Sequence, residues 1–179
     1  MAVPDRPSPA ARQNGPLIDP SALMTALQSA GPPVVLDVRW TLAGADPASF
    51  EQGHVPGAVF ADLDRDLAAP PGEGGRHPLP DAAGFATYLA GLGIAPDTPV
   101  VVGGQRDASI AARAWWLLRW RGVADVRVLD GGFEAWQAAG LPVETGALEH
   151  SNRGRPVDVS AYDGVPVGHA TPTVDADGA

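Results

Sequence analysis

The chain contains no cysteine, so disulfides, thiolate metal sites and a cysteine nucleophile are all excluded within it. It also lacks a long apolar run. No segment approaches the roughly 20 residues needed to cross a bilayer, and the amino terminus, MAVPDRPSPAARQNG, has no apolar stretch of the kind a secretory signal carries. A cytoplasmic location is the expectation. Positive charge is scarce as well: a formal net charge of -9 and a pI of about 4.7 argue against nucleic-acid and anionic-membrane partners, which need a basic surface.

What is present fits one globular domain with tails. The chain has 179 residues, 45% of them hydrophobic and 18% charged, and its 22 Gly and 19 Pro imply many turns and some unstructured sequence. Residues 1–16 combine Pro, Ser, Arg and Asn without apolar periodicity and read as a disordered tail. Residues 17–146 carry regular patterning. Residues 147–179 lose it again, apart from a possible short strand at Val157 to Val159, and read as a linker-like tail.

Within the patterned region strands alternate with helices. Asp19 and Pro20 form a helix start, with Leu23, Met24 and Leu27 on one face and Gly31 ending it. The run VVLDV, Val34 to Val38, fits a strand covered on both faces, with Asp37 and Arg39 near its carboxyl end. A turn at Val55-Pro56-Gly57 leads to a short strand, Ala58 to Phe60, and then to the acidic series Asp62, Asp64 and Asp66. DAAGFATYLAGLGI predicts a helix with Phe85, Leu89 and Leu92 inward, DTPVVVGG a buried strand, and Ser109 to Trp120 a second helix. A strand in ADVRVLDGG and a short helix ending at Gly140 complete the series. This alternation predicts an α/β fold, a mainly parallel sheet with helices on both faces.

Candidate chemistry gathers at strand ends. The loop after VVVGG sits where open α/β folds bind ligands, yet it holds no evident nucleophile. Arg106 and Asp107 in that loop match neither the dinucleotide fingerprint nor the phosphate-binding lysine loop, so at most a chance anion site is expected there. The four histidines and the scattered aspartates show no metal-ligand spacing; no metal and no cofactor are expected. Asp37 is expected to accept hydrogen bonds from neighbouring loop N–H groups, since a buried carboxylate cannot stay unpaired. Trp115, Trp116 and Trp120 share one helix, where adjacent side chains point about 100° apart, so one is expected in the core and another in an exposed aromatic patch. Arg113, Arg119 and Arg121 are expected to rim that helix and solvate it.

Five stretches taken together, VVLDVRW, GHVPGAVFADLD, GRHPLP, AARAWWLLRWRG and VRVLDGGFEAW, resemble the rhodanese family. They resemble most the first domain of the two-domain thiosulfate and 3-mercaptopyruvate sulfurtransferases, over about residues 17–146. The resemblance implies a three-layer α/β/α rhodanese-like domain. It also implies that the cysteine holding the transferred sulfur belongs to a second domain, with Gly104 at the corresponding place in this one. YDGVPVGHATPTVDADGA resembles the connector between the two halves, so the sequence looks like half of such an enzyme.

By the same resemblance Asp64 and His77 are the assisting pair lent to the second domain when 3-mercaptopyruvate is the donor, a carboxylate orienting an imidazole. The other reading of His77 is packing of a proline-rich loop. Arg76 has two readings, holding a substrate carboxylate or pairing with a nearby Asp, and His54 in GHVPGA is read as stabilising its turn. The expected function is sulfur transfer from thiosulfate or 3-mercaptopyruvate to cyanide or a thiol, with a Cys-bearing second rhodanese domain as partner and this chain as the non-catalytic half. The competing expectation is a stand-alone, inactive rhodanese-like module that binds a protein partner.

Overall fold

A computed structural model describes residues 15–105, 107–146 and 155–168. Its centre is a five-stranded sheet in the order β1-β7-β6-β2-β5, formed by β1 (Leu17–Ile18), β2 (Val34–Val38), β5 (Val59–Phe60), β6 (Val100–Gly104) and β7 (Val126–Leu129). Every pairing in it is parallel. A separate antiparallel hairpin joins β3 (Trp40–Thr41) to β4 (Gly44–Ala45) just past the end of β2.

The strands are buried on both sides because their side chains alternate between two cores. Leu36, Val38, Val100, Val102, Val126 and Val128 face one core, which α3 (Leu63–Asp66), α4 (Ala82–Gly91) and α5 (Ser109–Arg121) close with residues such as Leu63, Leu89 and Leu117. Val35, Val101 and Leu129 face the other, closed by α1 (Pro20–Leu27), α2 (Pro47–Gln52) and α6 (Gly132–Ala138) through Leu23, Phe50 and Trp136. The result is the three-layer α/β/α arrangement that the alternating pattern predicts.

Helix starts are written locally. Asp19, Asp46, Asp62 and Asp81 each accept a backbone N–H from the first turn of α1, α2, α3 and α4 respectively. The main strands and long helices lie where periodicity puts them, whereas β1, the β3–β4 hairpin, α2 and α3 are too short for any period to show. Residues 155–168, part of the stretch read as linker-like, pack against the domain. The possible strand at Val157 to Val159 is replaced by a 3-10 turn, Val159–Tyr162, capped by Asp158. Tyr162 explains the packing: it is buried, its hydroxyl donates to Ile94 O at 3.0 Å, and the Arg121 guanidinium lies 4.5 Å from its ring centre.

Candidate functional site

The carboxyl ends of β2, β5 and β6 lie side by side, the place where parallel α/β sheets collect ligands. The first polar groups there are structural. Arg39 grips Asp37 through both carboxylate oxygens, at 2.9 and 2.8 Å, and donates two further N–H groups to Ser49 O and Gly53 O. The guanidinium also lies 4.7 Å from the Phe133 ring centre. Asp37 is thus satisfied by a side chain two residues away, not by loop N–H groups as expected, because residues 37 and 39 point to the same face of an extended strand.

Of the three aspartates after β5, two are consumed locally. Asp62 caps α3 through Asp64 N and Arg65 N, while Asp66 accepts Asp62 N and pairs with Arg65. Asp64 is left to face outward. Its Oδ1 meets His77 Nε2 at 2.8 Å, and its Oδ2 accepts the Trp40 indole N–H at 3.0 Å. Burial, the largest single influence on Asp64, pushes its pKa up. The hydrogen bonds from Trp40 and His77, with the charges of His77 and Arg76, outweigh it, and the carboxyl is held below its ordinary value. With its Nε2 committed to Asp64, a neutral His77 keeps Nδ1 as its basic nitrogen.

The loop carrying His77 is anchored from α5. One terminal nitrogen of Arg113 lies 2.8 Å from His77 O, 3.2 Å from Pro78 O and 3.3 Å from Leu67 O. This replaces the expectation that Arg113 merely solvates the helix; interior carbonyls offer it better partners. Arg76, exposed, forms no ion pair with an aspartate among the described residues and lies 4.7 Å from the Trp40 ring centre. Trp40 itself was not singled out by sequence reasoning. The available signal was an aromatic residue two positions past the strand's carboxyl end, in VVLDVRW.

The loop after β6 has no room for a side chain at its start. Gly104 has φ +151°, and a Cβ there would lie 2.2 Å from Val38 O on the paired strand. Gly132 presses on the same loop, where a Cβ would meet Gln105 O at 2.5 Å. Asp107 turns its carboxylate onto Ser109 N at 3.0 Å, which occupies one of the free amides at the start of α5. Arg106 lies outside the described residues.

The model of the rhodanese-like domain matches residues 20–139. The chain belongs to the rhodanese family. It is 45% identical over 134 residues to the Mycobacterium tuberculosis protein named "Putative thiosulfate sulfurtransferase SseB", covering 74% of this chain and 47% of that protein. It is 48% identical over 120 residues to the "Probable 3-mercaptopyruvate sulfurtransferase" of Pseudomonas aeruginosa, covering 63% and 42%. Among solved structures, the 3-mercaptopyruvate sulfurtransferase of Leishmania major superposes with a TM-score of 0.64 at 34% identity, over 79% of this chain and 38% of that one. The chain therefore spans less than half the length of these relatives.

Other candidates in this rhodanese domain lie outside the Asp64–His77 network. His54 is buried, stacks on Phe50 at 3.8 Å and donates Nδ1–H to Phe50 O at 2.8 Å, while its backbone bridges to Glu144. It ties the GHVPGA turn to the end of the domain. None of the three α5 tryptophans is exposed, contrary to the expected aromatic patch. Trp115 donates to Val126 O at 2.9 Å, Trp116 stacks on Trp120 at 6.2 Å, and Trp120 is buried. Arg121 is likewise buried and bonds Ala82 O, while Arg119 bonds Ala124 O and lies over Trp115. Among the described residues no group of three or more His, Cys, Asp or Glu could hold a metal ion, and no helix is long and apolar enough to cross a membrane.

Proposed function

We propose that this chain is the non-catalytic half of a rhodanese-family sulfurtransferase, using thiosulfate or 3-mercaptopyruvate as donor. One observation carries the reading: an oriented Asp64–His77 pair stands at the ligand end of a rhodanese sheet whose own loop begins with a glycine that admits no side chain. A base is in place and a nucleophile is not. The nucleophile is assigned to a Cys-bearing second rhodanese domain, and the named relatives, more than twice the matched length, support that assignment.

The chemistry divides accordingly. A thiolate of the partner domain attacks the outer sulfur of thiosulfate, the S–S bond breaks and sulfite leaves. With 3-mercaptopyruvate the thiolate attacks the thiol sulfur, the C–S bond breaks, and the leaving enolate takes a proton to become pyruvate. The persulfide so formed then gives its terminal sulfur to cyanide or a thiol, and the thiolate is regenerated. Only the second donor needs a proton moved onto carbon, and there the His77 imidazole, oriented by Asp64, would accept and return that proton. Arg76, exposed beside Trp40, is the candidate to meet the donor's carboxylate.

The test is cyanide-dependent sulfur transfer with each donor, using this chain alone and mixed with a separately prepared Cys-bearing rhodanese domain that is inactive by itself. The reading expects transfer only in the mixture. Transfer by the chain alone would overturn it, because no thiol is present. No transfer in the mixture, with both parts folded, would shift the reading to a protein-binding module.

A further inference from the structure

We infer that Trp40 is a positioning residue for the Asp64–His77 pair, an inference that rests on the function proposed above. Four residues from three segments meet on this one side chain and its backbone. The indole N–H donates to Asp64 Oδ2 at 3.0 Å, and the ring stands edge-on to His77, at 5.4 Å between centroids and 83° between planes. The Arg76 guanidinium lies 4.7 Å from the ring centre, and the Trp40 backbone N–H reaches Gln105 Oε1 at 3.4 Å. Trp40 thus contacts both members of the pair through its side chain and also reaches the loop after β6 through its backbone.

The geometry gives the indole N–H a specific task. The Asp64 side chain is 47% exposed, so water competes for its oxygens, and a carboxylate held by His77 alone could rotate and offer either oxygen. With Oδ2 fixed by Trp40, only Oδ1 is presented to His77 Nε2. The imidazole is then held by one hydrogen bond at its edge and by the indole beside it. Trp40 is in turn held by the backbone on either side: it opens β3 directly after Arg39, which is locked to Asp37. A rigid strand end thus sets the angle of a pair whose two members sit on a short helix and a loop. Such outer partners commonly tune the groups they orient.

Trp40→Phe separates this role from packing, since it keeps a ring against the core and removes only the N–H donor and part of the indole. Two readouts follow. In the chain alone, the Asp64 carboxyl carbon followed by NMR through an acid titration is expected to titrate at higher pH in Trp40→Phe than in wild type, because a hydrogen bond to the charged form is lost. In the complemented mixture with 3-mercaptopyruvate, kcat is expected to fall roughly tenfold, the scale of one hydrogen bond to a charged group, with KM changed less than about twofold. An unchanged Asp64 titration, or a loss confined to KM, would overturn the inference.

A wild-type measurement guards against a variant that does not fold: the Trp40 indole proton resonance is expected to move with the Asp64 titration and to be displaced in Asp64→Asn. An indole resonance indifferent to both would also overturn it. The titrations need no sulfur transfer, so this inference can fail while the proposed function stands, and the reverse.

Discussion

Replacing Gly104 with alanine tests why the loop after β6 begins with a glycine. The added Cβ would sit 2.2 Å from Val38 O and 3.1 Å from Val38 C, backbone atoms of the neighbouring strand, at φ +151°. Neither can yield without breaking the β2–β6 register, in which Val38 pairs with Gly104. Backbone strain of about 1–3 kcal/mol and overpacking of about 1–3 kcal/mol give a destabilisation of about 2–6 kcal/mol. At a urea slope of about 2 kcal/mol/M, the midpoint should fall by about 1–3 M. The neighbour supplies the control: a Cβ on Gly103 meets only Leu129 at 3.7 Å, ordinary contact, and no positive φ opposes it. Gly103→Ala should therefore be neutral, or more stable by up to about 1 kcal/mol through loss of unfolded-state freedom. Gly104→Cys should suffer like Gly104→Ala and gain no sulfur transfer in the chain alone. Equal midpoints for the two alanine variants would refute the reasoning.

Asp37→Asn should cost about 3–5 kcal/mol in urea unfolding, since it leaves the buried Arg39 guanidinium without its counter-charge; a loss under about 1 kcal/mol would contradict this. Asp64 has a folded pKa below its unfolded one, so its contribution is present above the ordinary carboxylate range and lost as pH falls through the folded value. Wild type and Asp64→Asn should accordingly differ most near neutrality and converge in acid unfolding. Tyr162→Phe should cost about 1–3 kcal/mol by orphaning the Ile94 carbonyl. Burial, partly offset by the Arg121 charge, pushes the Tyr162 phenol up to about 12. Stability that depends on its neutral form should be complete below the usual phenol pKa near 10 and decline as pH rises from there toward 12, which ultraviolet titration and unfolding together would show.

The sequence disclosed what repetition and long elements can carry. VVLDV and VVVGG read as buried strands because five consecutive residues alternate between two cores, and the helices at 82–91 and 109–121 have enough turns for a face to show. Asp64 and His77 could be paired only through the family resemblance, since they lie 13 positions apart across mostly irregular chain and no period relates a short helix to a loop. Trp40 stayed hidden for a related reason: its value lies in a donor aimed at a residue 24 positions away. Arg113 and Arg121 depart from the expected solvating rim because composition marks Arg as surface, while carbonyls at the end of a distant loop, which give Arg113 its place, leave no mark in the residues around it. Tyr162 had no periodic neighbours at all, yet with the Val157 N–H on Ala90 O and the Gly168 N–H on Trp120 O it holds 155–168 to the domain.

The central claim is that this chain contributes an oriented base to a site completed by another domain. The most direct measurement is the donor ratio of His77→Ala in the complemented mixture, with each donor's kcat/KM taken relative to wild type. The account predicts that transfer from 3-mercaptopyruvate falls by about 100-fold or more, the usual scale for a general acid–base group, while transfer from thiosulfate, which needs no proton on carbon, stays within a few-fold. Equal losses with both donors, or none with either, would contradict it.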